Sequence, residues 1–283
     1  MANTTTSAAT LTKDQVEALL ILPLQQASTY MAQGFPMFVS NGEPIKVPSL
    51  SSMGTPSYVA EGSLIPEVSA STSEISLLPS TVQSVKIITR VSRELMRQSI
   101  VNVDNAFSQK MVSDVARVLD EAMWNGAGTA GAPRGIANFA GVTSAGTAGG
   151  TVTADTLYDI QELAFDAHVD FGRARWAMSP KNLTRVRKLE DSTGQKFLSP
   201  SLATGAPATL LGCGYTVTTH LPDSVILFFD PAQVAVGMDD RASVTILDQT
   251  YAEYDEVGLR VTARYDTAAL NASAVVKLSG ITA

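Results

Sequence analysis

Cysteine, histidine and charge are all scarce in this chain. Its 283 residues include one cysteine, Cys213, and two histidines, His168 and His220. A lone cysteine excludes an internal disulfide framework and any multi-cysteine zinc site. The histidines lie far apart with no metal-ligand spacing, so no metal site and no cofactor is expected. Charged residues make up 17% of the chain, and the formal net charge is −7. That balance argues against a protein that grips nucleic acid through a broad basic face. Long apolar runs are missing too. The stretch Ala18-Leu19-Leu20-Ile21-Leu22 follows Asp14 and Glu17 and stops at Pro23. It is too short to span a bilayer and lacks the basic flank of a signal peptide, so no membrane partner and a cytosolic start are expected.

What is present is enough apolar material for a core. Hydrophobic residues are 45% of the sequence, which argues against wholesale disorder. A chain of this length buries roughly 75% of its unfolded surface, in one large or two modest domains. Residues 1–10 are small and polar and read as a tail. Thr12 to Gln33 carries helical spacing, interrupted by Pro23. From Gly34 to Val47 the reading is extended, punctuated by Pro36, Gly42 and Pro44.

Residues 49–84 are rich in serine, broken by Pro56, Pro66 and Pro79, and charged only at Glu61, Glu67 and Glu74. Such a segment cannot build its own core. It is either a disordered linker or a long β-hairpin arm, with Ser57-Tyr58-Val59-Ala60 leading in and Ile75-Ser76-Leu77 leading out. Two arms of that length reach at most ~55 Å and need a neighbour to lie on.

The pattern then sharpens. Val85 to Ser92 alternates as a strand, and Ser92 to Arg97 reads as a short helix. Asp104 to Trp124 is a strong amphipathic helix, with Phe107, Met111, Val115, Val118 and Ala122 on the apolar side. Asn125-Gly126 stops it, and a Gly/Ala-rich loop is predicted from Asn125 to Gly150. Beyond it helices and strands alternate. Thr153 or Asp155 caps a helix, Arg175-Trp176-Ala177-Met178 is a strand, and Ser179-Pro180 opens a helix running to Gly194. Strands are predicted at Tyr215-Thr216-Val217, Val225–Phe229, Ser243–Leu247, Gly258–Arg264 and Ser273–Leu278.

Chemical motifs do not survive their context. Gly126-Ala127-Gly128-Thr129-Ala130-Gly131 has the letters of a dinucleotide fingerprint, but a helix precedes it and Ala132-Pro133 follows, where the fingerprint needs a strand and then a helix. Asp239-Asp240 and Asp255-Glu256 sit beside turn signals and read as solvated turn acids. His168 and His220 lie in no nucleophile motif, and Cys213, between two glycines, reads as a small packed residue. Arg185, Arg187 and Lys188 form a small basic helix face, solvated or paired across subunits.

The chain resembles the tailed-bacteriophage major capsid proteins with the Hong Kong 97-type fold. The resemblance rests on Val91-Ser92-Arg93-Glu94-Leu95 through Ser99, Leu119–Gly126, Pro133-Arg134-Gly135-Ile136, Trp176–Pro180, Leu189–Gly194, Leu210-Leu211-Gly212 and Phe229-Asp230, in that order. It implies an α+β fold with an N-terminal arm (1–48), an extended β-hairpin loop (49–84), a peripheral domain with a long spine helix (85–150 and 252–283) and an axial α/β domain (151–251). It implies a non-enzymatic chain that self-assembles as hexamers and pentamers into an icosahedral shell around double-stranded DNA, built in the bacterial host cytoplasm. Its partners would be a separate scaffolding protein, a portal and a decoration protein. Intersubunit contacts are expected at Tyr58, Glu61, Leu64, Ile65, Glu67, Arg185 and Arg187. Some family members weld subunits through an extended-loop lysine. Here no lysine occurs between Lys46 and Lys86, so a non-covalent shell is expected. The net negative charge fits a shell interior that encloses DNA without adhering to it. Two other readings stay open: an encapsulin-like nanocompartment shell of the same fold, and an α/β enzyme or ligand-binding domain centred on 151–251, which predicts a monomer with a deep pocket.

Overall fold

A computed structural model of the chain describes residues 28–52, 58–62, 67, 71–92, 103–190, 209–239, 243–247 and 249–282. In chain order the first elements are β1 (Met37–Ser40), β2 (Ile45–Ser52), β3 (Ser71–Leu77), β4 (Val85–Ser92) and α1 (Val103–Asn125). The middle of the chain forms β5 (Thr143–Gly150), α2 (Ala154–Asp166), β6 (Arg175–Met178), α3 (Pro180–Lys188), β7 (Thr209–Leu210), β8 (Cys213–Val217) and β9 (Ile226–Phe229). The last elements are β10 (Val234–Asp239), β11 (Ser243–Leu247), β12 (Glu256–Ala263), β13 (Tyr265–Ala269) and β14 (Val275–Ile281). The architecture is α+β, as the sequence implies.

A six-stranded mixed sheet, ordered β5-β14-β9-β6-β8-β7, organises the core. Its central strands are apolar on both faces because both faces are covered. Alternation along each strand sorts the side chains. Leu227 and Phe229 of β9, Ala177 of β6 and Val275 of β14 join one buried cluster with Met111, Val115, Leu119 and Met123 of α1. Ile226 and Phe228, Trp176 and Met178, and Val276 and Leu278 join the other, with Leu157, Ile160 and Ala164 of α2 and Val186 of α3. Trp176 stacks tilted on Phe228 with centroids 4.6 Å apart, and its indole N–H donates to the Leu210 carbonyl at 3.1 Å.

Two three-stranded ladders and one hairpin complete the sheet structure. One ladder is β1-β10-β13, the other β11-β12-β4, and among the described residues β2 pairs only with β3. Helix starts follow the predicted chemistry. Thr153 accepts from the Thr156 N–H in a reciprocal capping box, and Ser179 caps α3 with Pro180 in its first turn.

Several expectations need correction. The stretch 125–150 is not all loop: β5 occupies its second half, pairing in parallel with β14 through two register shifts. Its Thr, Ser, Ala and Gly composition carries no strand signal, and the edge of β14 supplies the pairing. In α1, Val118 is exposed while Asp120 is buried, so the inward face is rotated towards Val112, Ala116 and Leu119. Helix α3 ends at Lys188, with Leu189 as its C-cap. β10 and β13 are additional strands that the sequence pattern does not reveal. The hairpin's ascending strand is β2, earlier than Ser57–Ala60, of which Tyr58–Ala60 are described without strand pairing. The expected short helix over Ser92–Arg97 and most of the one over Thr12–Gln33 lie outside the described residues. Of the latter, Met31–Gln33 forms a single 3-10 turn, closed by Gly34 in the left-handed region at φ +80°.

Candidate assembly surfaces

Two segments join the body through specific roots, and the first is the end of the N-terminal segment. Asp120, buried in α1, accepts hydrogen bonds from the Ser28 hydroxyl, the Thr29 N–H and hydroxyl (both 2.8 Å) and the Tyr30 N–H (3.3 Å). No cation faces it among the bonds described. Hydroxyls and backbone N–H groups carry the charge instead, as buried carboxylates require. One turn on, the Trp124 indole N–H donates to Thr29 Oγ1 at 3.1 Å. Tyr30 is fully buried. Its hydroxyl meets Thr267 Oγ1 of β13 at 2.6 Å, and burial drives its ionisation far above the usual range. Tyr30, Phe35, Trp124 and Phe229 form a chain of rings with centroids 4.4 to 6.1 Å apart. Gln33 then bonds back to the Thr29 carbonyl and across to Thr216 of β8. The segment is thereby fastened to α1, β8 and β13 at once.

The second root is that of the β2–β3 hairpin. Leu77 and Leu78 are fully buried, and a Cβ on Gly237 of β10 would stand 3.1 Å from Leu78 Cγ. The Leu78 N–H donates to Asp266 Oδ2 at 2.8 Å. Burial raises the Asp266 carboxyl above its ordinary range, against the pull of hydrogen bonds from the Leu78 and Thr267 N–H groups. The Arg264 guanidinium spans the following turn, donating to the carbonyls of Val82 (3.0 Å), Leu78 (3.3 Å) and Pro79 (2.7 Å), with Asp239 at 3.7 Å behind it. Asp239 is therefore a buried strand residue facing Arg264, which corrects its reading as a solvated turn acid. Asp240 lies outside the described residues.

Residues 41–48 and 74–76 include no buried side chain, although Ile45, Val47 and Ile75 are apolar. The strands hold each other through the ladder from Ile45↔Leu77 to Ser52↔Ser71 and an exposed Lys46–Glu74 ion pair at 2.7 Å. Tyr58 is fully exposed, and Glu61 and Glu67 are exposed. Leu64 and Ile65 lie outside the described residues. The expected contact residues of α3 stand elsewhere, on the six-stranded sheet. Arg185 is half-buried and donates to Asn182 Oδ1 (2.7 Å) and the Asp223 carbonyl (3.2 Å), while Arg187 is exposed and reaches the Tyr215 hydroxyl at 3.4 Å.

The groups that a reaction would use are separated or occupied. Cys213 is buried, its thiol donates to the Phe171 carbonyl at 3.7 Å, and burial raises its pKa to about 11, which keeps it protonated at neutral pH. The Gly126–Gly131 motif closes α1. The Gly135 N–H donates to the Gly126 carbonyl, Asn138 Nδ2 donates to the carbonyls of Asn125 and Gly126, and a Cβ at Gly135 would stand 2.5 Å from the Gly126 nitrogen. Clefts of about 690 Å³ beside Arg264 and about 870 Å³ beside Arg173 and Arg175 open widely to solvent. Among the described residues no group of three acidic, histidine or cysteine side chains is placed to hold a metal, and no helix is long and apolar enough to cross a membrane.

Comparison with known proteins decides the family. The sequence profile of the phage capsid family matches residues 9–280. The chain belongs to the phage capsid family. Solved capsid structures share its fold. The capsid of an empty GTA particle superposes with a TM-score of 0.72 at 18% identity, covering 90% of this chain and 91% of that one. The native GTA capsid gives 0.73 at 17% identity, covering 90% of each chain. A Microbacterium phage Oxtober96 chain gives 0.69 at 16%, covering 90% of this chain and 91% of its own. No curated protein sequence matches. The chain is thus a capsid protein of this family with the Hong Kong 97-type fold.

Proposed function

We propose that this capsid protein is the major shell subunit of a tailed phage, self-assembling as hexamers and pentamers into an icosahedral shell that encloses double-stranded DNA. The observation that carries the reading is the β2–β3 hairpin. A two-stranded hairpin is marginal by itself in water, and among the described residues of this one the buried side chains stand at its root. A neighbouring subunit supplies the missing layer, and Tyr58, Glu61, Leu64, Ile65 and Glu67 are the residues proposed to meet it. Arg185 and Arg187 serve contacts around the capsomer, in an axial domain of 151–251 that stands on a peripheral domain of 85–150 and 252–283. The segment 1–48 and the loop 49–84 act as lattice connectors.

The shell is held without covalent links, because no lysine lies between Lys46 and Lys86 to form them. The net charge of −7 suits an interior that encloses DNA without gripping it. Assembly takes place in the host cytoplasm with a separate scaffolding protein, a portal and a decoration protein. Purified particles test this directly. Shells containing nuclease-protected DNA, whose subunits run as one monomer band after boiling in detergent, are expected. Protein-filled shells free of DNA, or a ladder of covalent multimers, would overturn the genome-container or the non-covalent part of the reading respectively.

A further inference from the structure

The outer faces of α2 and α3 carry opposite charge, and the acids of α2 have no ion-pair partner among the described residues. α2 presents Asp155, Asp159, Glu162 and Asp166, spaced four, three and four residues apart, which puts them on one face. All four are exposed. The helix contains no lysine or arginine, and none of the four acids has an ion-pair partner among the described residues. Tyr158 and Phe165 flank the acidic face, about half exposed, and Phe165 stacks on the partly exposed Phe171 with centroids 5.4 Å apart. Large aromatics beside a band of like charge are the composition of a contact surface more than of a solvated one.

α3 is the converse. Lys181, Arg187 and Lys188 point outward, Arg185 stands at their flank, and the helix has no acid. Lys181 pairs with Asp223 at 2.7 Å, Arg187 meets only the Tyr215 hydroxyl, and Lys188 has no acidic partner among the described residues. α2 packs on β5, β14 and β9, whereas α3 follows β6 and brings Arg187 beside Tyr215 of β8. Both helices add to the same buried cluster, so the acidic and basic patches stand on the same side of the six-stranded sheet. The acidic patch of one copy is complementary to the basic patch of another, and a contact between two unlike patches is heterologous.

We propose that α2 of one subunit docks against α3 of the next copy around the capsomer. Its acids face Lys181, Arg187 and Lys188, and Tyr158 and Phe165 are covered at the centre. The proposal rests on the shell reading above and names which surfaces of the axial region meet. Exchanging the charges tests it, with the full-length chain produced together with the other structural proteins of its particle and assembly followed by sedimentation and electron microscopy. D159K/E162K and R187E/K188E should each lower the assembled fraction about tenfold or more, because like charges then oppose each other at every copy of the contact. The combined variant should recover it. Circular dichroism melts check that each variant folds. Should a reversal fail that check, the neutral pairs D159N/E162Q and R187Q/K188Q read the same contact, each lowering assembly and flattening its salt dependence. Unchanged assembly in the single-face variants, or no recovery in the combined one, overturns the docking and leaves the shell reading intact. A wild-type chain that forms no particles overturns the shell reading itself.

Discussion

Removing the carboxylate of Asp120 should release the root of the N-terminal segment. In the wild type this buried group accepts four hydrogen bonds from Ser28, Thr29 and Tyr30. D120A strands the Thr29 and Tyr30 N–H groups beside α1 and opens a small void under Thr29. A stranded buried donor costs about 1–3 kcal/mol, and the Ser28 and Thr29 hydroxyls can turn to other acceptors. The two N–H groups together with the void put the loss at about 3–5 kcal/mol. For a chain of this size a kcal/mol corresponds to roughly 2–4 °C, so the melting transition of the unassembled subunit should fall by about 10 °C. The same substitution should make the peptide bonds around residues 28–33 the first to be cut in limited proteolysis, since Trp124, Gln33 and Thr216 lose the frame that aligns Thr29. D120N keeps one acceptor oxygen and should lose less. A D120A subunit melting within a degree or two of the wild type, with an unchanged cleavage pattern at that segment, would refute the idea that this carboxylate fastens it.

Three further outcomes follow from the same packing. R264M removes the donors to the Leu78, Pro79 and Val82 carbonyls; it should destabilise the subunit by about 2–4 kcal/mol and speed amide exchange over residues 78–84, and unchanged exchange there would argue against a clamp. G135A places a Cβ against the backbone of Asn125 and Gly126; overpacking against atoms that cannot turn aside costs about 3 kcal/mol, read as lost soluble yield or a lower denaturation midpoint. Asp266 has a raised carboxyl pKa in the folded state, chiefly through burial, so its contribution is fully present below its unfolded value near ~4 and declines as pH rises through the raised folded value. D266N does not titrate, so the stability gap between wild type and D266N should narrow with rising pH, and a gap that widens would contradict the assigned shift.

Where local chemistry governs, the fold was legible in the sequence. The Thr153 and Ser179 caps, the alternation of β4 and the apolar run of β9 specify their elements through hydrogen bonding and periodicity alone. β5 was not legible, because Thr143–Gly150 has loop composition and becomes a strand only by pairing with β14, about 130 residues away. The face of α1 was misjudged at Val118 for a related reason, because Asp120 takes an inward position there. A carboxylate reads as solvent-facing until the three residues that satisfy it are known, and Ser28, Thr29 and Tyr30 lie about 90 residues earlier. Asp239 was misread in the same way, since Arg264 faces it from the junction of β12 and β13. The exposure of Glu61 and Glu67 was legible in the serine-rich composition around them. The acidic face of α2 was present as a spacing of four, three and four, but its meaning needed the exposure of Tyr158 and Phe165 and the position of α3.

A reconstruction of assembled particles by electron cryomicroscopy tests the central claim most directly. It should show a closed icosahedral shell of hexamers and pentamers, with each β2–β3 hairpin lying on a neighbouring subunit and its half-exposed Ile45, Val47 and Ile75 covered there. A chain that stays monomeric, or a shell in which every hairpin folds back onto its own subunit, would contradict it.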